Sequence, residues 1–196
     1  MDVHGTKLVR TLFTIATVGR LRTVAASLVL FHVSQDAGID RFVPRLVETF
    51  PEPVVWAIDR EHLRNYLLPR DCPRVTYYRI ATSTEEDVAK YLGDSSAVVA
   101  IESGWLPRIR RCTLYCYAMP PATFECIDEG AGYFVSRQPV MPDSVETIQD
   151  PTRAVVATGA ALRTVDDLWP LHDAVAKSSL QFSMIRMRNA KPRSAT

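Results

Sequence analysis

The chain has 196 residues, 47% hydrophobic and 23% charged, with Lys+Arg 23 against Asp+Glu 22 and a net charge of +1. That balance supplies apolar side chains for a full core and excludes both a disordered polymer and a protein whose partner is selected by bulk charge. The best membrane candidates, residues 12–18 and 24–33, fall far short of the ~20 apolar residues a spanning helix needs, so a cytoplasmic protein with no membrane partner is expected.

Residues 1–27 carry Lys7, Arg10, Arg20 and Arg22 against Asp2, with neither a small-residue cleavage pattern nor an amphipathic stripe, and read as a poorly structured N-terminal extension. Leu28-Val-Leu-Phe-His-Val-Ser34 is β-rich and closes on the turn signal Gln-Asp-Ala-Gly. Alternation puts Leu30, His32 and Ser34 on one face of this strand. A loop with Arg41, Pro44 and Arg45 follows, then Pro-Glu-Pro punctuation and a second strand over 54–58. Asp59 is a good N-cap for a short helix over 61–68 that carries Tyr66 and ends at Pro69. After a rigid loop, residues 75–80 read as a strand, and Ser83 with Glu86 offers a capping box for a helix closing at Gly93. Residues 97–101 are apolar throughout, which suits a buried central strand.

Residues 105–111 predict a short helical turn, and 112–118, 123–127, 133–136 and 145–148 predict strands. A helical stretch over 152–157 stops at Gly159, and Thr164 with Asp167 is expected to cap a longer helix over 166–189, before a frayed tail at 190–196. Strands outnumber helices and do not alternate with long ones. The expected fold class is therefore α+β, one domain over 28–189 with a curved, mainly antiparallel sheet core, short helices and a long C-terminal helix. Cys112 and Cys116, four apart on one strand, stand roughly 13 Å from each other, too far for a shared zinc or a disulfide. Cys72 and Cys126 have no Cys or His at metal spacing, so reduced thiols and no metal are expected.

Gly130-Ala-Gly132 lacks the further glycines of a dinucleotide or phosphate loop, and Ser103 lacks the glycine that precedes a hydrolase nucleophile. The candidates left are polar residues on or just after strands, where a sheet holds a side chain rigidly. His32 with Ser34 reads either as a ligand contact or as a half-buried core histidine. Tyr66 can stack on a ring or fill core. Glu102, at the end of an apolar strand, is either a base raised by desolvation or a cap or ion-pair partner. Asp128 and Glu129 precede the glycine bend, as in a site loop or an ordinary turn. Arg41, Arg45, Arg70, Arg74 and Arg137 adjoin these strands and can hold phosphate oxygens bidentately. Arg186, Arg188, Lys191 and Arg193 make a basic stretch with few aromatics, so nucleic acid is not the expected partner.

Phe31-His-Val-Ser34, Val55-Trp-Ala-Ile-Asp59, Pro69-Arg-Asp-Cys-Pro-Arg-Val75, Gly130-Ala-Gly-Tyr-Phe-Val-Ser-Arg137 and Leu180-Gln-Phe-Ser-Met-Ile-Arg-Met-Arg-Asn189 resemble the motifs of a bacterial family of unknown function, over about residues 30–192. More distantly, the order of features is similar to the ADP-ribosyltransferase-like fold, which includes RNA 2'-phosphotransferases. The resemblance implies NAD as cofactor, with His32 on the ribose or nicotinamide amide, Ser34 assisting and Tyr66 near the ring. Transferases of that type open a Glu-aromatic-Val-Ser strand with glutamate, where this chain has Tyr133-Phe-Val-Ser136. A tyrosine carries no charge at neutral pH to stabilise an oxocarbenium-like centre, and Glu129 substitutes only if its loop folds back. The resulting expectation is a small protein binding NAD or another nucleotide in a cleft near His32. Its catalytic candidates are His32 and Glu129, and its ligand contacts Ser34, Arg45, Tyr66, Arg70, Tyr133 and Arg137. If it is an enzyme, ADP-ribosyl or related nucleotidyl or phosphoryl transfer is implied. The competing expectation is a non-catalytic interaction protein whose basic C-terminal helix contacts a partner.

Overall fold

The computed structural model describes residues 28–47 and 50–193. The expected extension over 1–27 and the last three residues of the expected tail lie outside the described residues. β1 (Leu30–Ser34) is followed by a hairpin of β2 (Arg45–Val47) and β3 (Phe50–Asp59). β3 runs straight through Pro51 and Pro53, which the sequence reads as punctuation. Proline is tolerated there because this half of β3 pairs only with β2, while the ladders to β8 and β1 begin further along, at Val55 and Ile58.

The chain continues through β4 (Arg74–Tyr78), α1 (Glu85–Asp87) running on as a π-helical stretch Val88–Leu92, β5 (Ala97–Glu102), α2 (Leu106–Arg110) and β6 (Leu114–Met119). β7 (Glu125–Asp128), β8 (Tyr133–Ser136), β9 (Ser144–Ile148), α3 (Pro151–Ala157), β10 (Ala160–Val165), α4 (Trp169–Val175) and β11 (Gln181–Ile185) complete it. The strands make two sheets, one ordered β7-β8-β3-β1-β6-β9 with β2 beside β3, the other β10-β5-β4-β11. All ladders are antiparallel except β10 on β5, so the protein is α+β with mostly antiparallel sheets and short helices.

One apolar layer lies between the sheets, where Val33 and Ile148 of the large sheet pack against Leu67, Val99, Ile101 and Ile109. The outer face of the large sheet is covered by Phe42 and Val140 over Leu30, Val55, Ala57, Tyr117 and Met119. The outer face of the small sheet is covered by Leu92, Leu168 and Val175 over Val75, Tyr77, Val98 and Ala100. No helix of the described residues is long and apolar enough to cross a membrane.

Three local expectations are corrected. Residues 61–68 form a single 3-10 turn, Leu63–Asn65, whose N-cap position is His62 with no side-chain cap; Asp59 instead accepts from the His62 amide at 2.8 Å, in the turn just ahead of it. The chain must return into β4 within a few residues, too short a span for a helix to repay its nucleation. Thr84 caps α1 in place of Ser83, whose hydroxyl instead accepts from the Ile80 amide. The long C-terminal helix is absent: β10 precedes a seven-residue α4, and β11 follows. The helical period of Leu168, Leu171 and Val175 is real, but Ser179 breaks it by giving both its amide and its hydroxyl to Asp87, at 2.7 Å each. Residues 181–185 then pair with β4 and close its open edge, so tertiary pairing overrides local propensity.

Candidate functional site

His32 leaves β1 on the outer face of the large sheet, the face of Leu30 and Tyr117. Its Nδ1 lies 2.8 Å from the Trp56 carbonyl, and its ring packs on Phe42 at 4.7 Å. A nitrogen facing a carbonyl must carry the proton, so Nδ1–H donates. Burial holds the imidazole below its ordinary 6.5, and the nearby charges of Arg70 and Arg45 push the same way. On this face Ser34 accepts from the Asp36 amide, and Tyr117 donates to the Asp36 carbonyl while accepting from the Ile39 amide. These contacts latch the loop after β1.

The inner face is organised differently. Tyr133, opposite Ile58 in the ladder, turns toward the small sheet; its hydroxyl accepts from Tyr66 at 3.0 Å, and Trp56 meets its ring edge-on at 5.7 Å. Burial, and then the neighbouring Tyr133 hydroxyl, push the Tyr66 phenol well above its ordinary value. At the end of β3, Asp59 holds His62 Nδ1 at 2.8 Å, and His62 Nε2 lies 3.0 Å from the Tyr78 hydroxyl on β4. With Nδ1–H committed to a carboxylate, Nε2 is an acceptor for the Tyr78 hydroxyl, whose one proton has a second acceptor in the Gly130 carbonyl at 3.4 Å. Burial raises the Tyr78 phenol too. Asp59, His62 and Tyr78 are therefore joined in one hydrogen-bonded chain, with the imidazole oriented by a carboxylate.

Gly132, at φ +67, makes this arrangement possible. A Cβ there would run into His62 Nδ1 and would come within 2.6 Å of Asp59 Oδ2. The same glycine's carbonyl receives the Asp59 amide, so the bend over 129–132 is both lid and support for the pair. This hydrogen-bonded chain borders a cavity of about 290 Å³ lined by His62, Asn65, Tyr78, Tyr133, Gln181 and Ser183. Asn65 is 3% exposed, and its Oδ1 has no hydrogen-bond partner among the described residues; Thr76 Oγ1, one pleat from Tyr78 and opposite Ser183, also has none. Two unpartnered polar atoms thus lie in one buried seam, where most polar groups are hydrogen-bonded.

Of the residues singled out by the sequence, Tyr66 and Tyr133 come together, and the large sheet separates them from His32. Arg45 and Arg70 are exposed near His32, and the Arg70 amide donates to Gln35. Arg137 is bound at the surface by Glu52 and Glu125, at 2.8 and 2.7 Å. Glu129 is exposed at the bend and joins it through its carbonyl, which accepts from Gly132. Glu102 is 3% exposed and spends both oxygens on the Lys191 amide. Among the described residues no group of three or more His, Cys, Asp or Glu could hold a metal ion. His62, Tyr78 and Asn65 escaped sequence reasoning. The available signal was Asp59-Arg-Glu-His62, a turn-forming carboxylate with histidine three positions on, and Arg74-Val-Thr-Tyr-Tyr78, whose alternate residues Arg74, Thr76 and Tyr78 carry polar groups.

Residues 31–190 match the profile of the family of unknown function DUF6886, and the chain belongs to that family. No curated protein and no solved structure matches it.

Proposed function

We propose that this DUF6886 protein binds a small nucleotide, with NAD as the first candidate, in the seam between the two sheets, and that Tyr78, His62 and Asp59 move a proton at the bound ligand. The observation that carries the reading is a buried hydrogen-bonded relay ending on a polar cavity whose wall holds the unpartnered Asn65 Oδ1. The cavity is at the small end for ligand sites and admits a ribose or nicotinamide-sized fragment. Tyr133 and the exposed Phe182 at its rim offer surfaces for a ring. The resemblance to ADP-ribosyltransferase-like proteins implied a nucleotide beside His32; the geometry favours the same ligand class beside His62.

The chemistry follows from the proton positions. Tyr78 oxygen takes a proton from a ligand hydroxyl while its own passes to His62 Nε2, and the imidazolium so formed faces the Asp59 carboxylate. This activates a ligand hydroxyl as nucleophile in group transfer. The interaction-protein alternative has less to support it, since the basic C-terminal stretch holds only a 3-10 turn, Met187–Asn189, and Arg193 is paired with Asp173 and stacked at 4.0 Å on Trp169.

Titration calorimetry with NAD, ADP-ribose and a 2'-phosphorylated RNA end tests the reading on wild type, Tyr78→Phe and His32→Ala. Wild type is expected to bind at least one of them below millimolar, Tyr78→Phe about 10-fold more weakly, as for one lost hydrogen bond, and His32→Ala unchanged. If no nucleotide binds more tightly than about 1 mM, worth only ~4 kcal/mol, the nucleotide reading fails. If binding survives Tyr78→Phe but is lost in a folded His32→Ala, the site lies on the outer face instead.

A further inference from the structure

Arg74 heads β4 and is 2% exposed. Its Nε donates to the Asn65 carbonyl at 2.6 Å, and its Nη1 to the Pro69 and Cys72 carbonyls at 3.3 and 2.8 Å. Every one of these acceptors is a neutral backbone oxygen. Among the described residues no carboxylate pairs with the guanidinium, and its Nη2 has no hydrogen bond, so a cation is buried with its hydrogen bonds partly met and its charge uncompensated. Burial pushes the group down to about 10, still protonated at neutral pH, and the neighbouring Arg186 adds to that depression.

Arg186 stands just beyond β11, whose last residue, Ile185, pairs with Arg74. Its backbone is at φ 56, and no other non-glycine residue among those described has a positive φ. An L-residue holds that conformation only where its surroundings impose it, and such strain gathers at ligand sites. A backbone contact, Nε to the Arg70 carbonyl at 3.4 Å, is the only hydrogen bond its guanidinium makes among the described residues. Beside these cations the Tyr66 ring lies 5.9 Å from the Arg74 guanidinium, and the Tyr66 hydroxyl is spent on Tyr133. The Tyr133 hydroxyl, having accepted, has its own proton to give.

We infer that Arg74, Arg186 and the Tyr133 hydroxyl form an anion subsite that receives phosphate oxygens, contiguous through Tyr133 and Asn65 with the cavity at His62. Two neighbouring guanidinium groups, neither paired with a carboxylate among the described residues, suit a tetrahedral, multiply charged oxyanion. The subsite rests on the nucleotide reading for the rest of the ligand, and assigns that ligand's phosphate or diphosphate to the β4–β11 end of the seam.

Calorimetry with inorganic pyrophosphate, AMP and adenosine on wild type, Arg186→Gly, Tyr133→Phe and Arg74→Lys separates the two ideas. Arg186→Gly is the informative variant, because glycine accepts the positive φ and the fold is kept. Pyrophosphate and AMP are expected to bind wild type at least 10-fold more tightly than Arg186→Gly and several-fold more tightly than Tyr133→Phe, while adenosine binds wild type and Arg186→Gly alike. Arg74→Lys keeps the charge and loses the fork, and if folded is expected to resemble Arg186→Gly. Adenosine or AMP binding that is insensitive to Arg186→Gly, with no binding of pyrophosphate, overturns the anion subsite and leaves the His62 cavity standing. Pyrophosphate binding that depends on Arg186, with neither adenosine nor AMP adding affinity, establishes the subsite and overturns the nucleotide reading.

Discussion

The two faces of the large sheet each present a partly enclosed histidine, and the surroundings of the two differ in kind. On the outer face His32 reaches the Trp56 carbonyl of β3, while Ser34 and Tyr117 reach backbone groups of the loop after β1, so every contact meets a backbone group. In the seam on the inner face, His62 is oriented by one side chain and linked to another, Asn65 and Thr76 keep polar atoms without partners, and a buried arginine has no carboxylate. A polar residue on a strand is usually there for the fold, and a satisfied set of hydrogen bonds says so. Where buried polar groups from several distant segments meet and remain unsatisfied, the fold alone does not explain them.

The largest expected effect tests the inner face. Gly132→Ala forces a Cβ into the Asp59–His62 pair and is expected to cost about 3 kcal/mol or more in a denaturant titration. Gly159→Ala, at φ +86 with nothing within 4 Å of its Cβ, is expected to cost about 1 kcal/mol. Equal costs would mean that the close approach at Gly132 does not hold the relay together. Next, Tyr117→Phe removes an outer hydroxyl that serves both Asp36 and Ile39; a loss of about 1.5 kcal/mol with nucleotide affinity unchanged is expected. A change in affinity would abolish the contrast between the faces.

A gentler effect concerns pH. The folded His32 pKa lies below the unfolded value near 6.5. In the window between the two the unfolded chain binds the extra proton, so stability rises with pH there and is lost as pH falls from about 6.5 toward the folded value. His32→Gln is expected to flatten that limb of the stability profile, and an unchanged slope would show that His32 titrates freely. Smallest of all, Arg137→Ala removes an exposed guanidinium from Glu52 and Glu125 and is expected to leave the denaturation midpoint where it is, because surface pairs contribute little.

The strands with clear alternation or unbroken apolar runs, β1, β5 and β8 among them, were legible because burial on one or both faces writes a period into the residues. β11 was not. Its residues 181–185 carry spaced apolar groups that a helix would use equally well, and only the free edge of β4 decides for a strand. β10 was hidden for the same reason, since a short Ala-Ala-Leu run declares nothing until it lies parallel to β5. In the site, Tyr66 and Tyr133 could be named as aromatics, but their shared hydrogen bond spans 67 positions of chain. His62 looked like a residue of a short helix, and its partner Tyr78 like an ordinary strand tyrosine.

By itself, the sequence determined the α+β class, most strand positions and the facing of His32, because these depend on neighbours a few residues apart and on the pleat of a single strand. Tertiary structure alone decided which face of the large sheet meets the small sheet, that His62 rather than His32 stands in the seam, and that Arg74 is buried without a counter-charge. Those outcomes depend on which strands pair across more than a hundred residues, as β4 does with β11, and no local period encodes that choice.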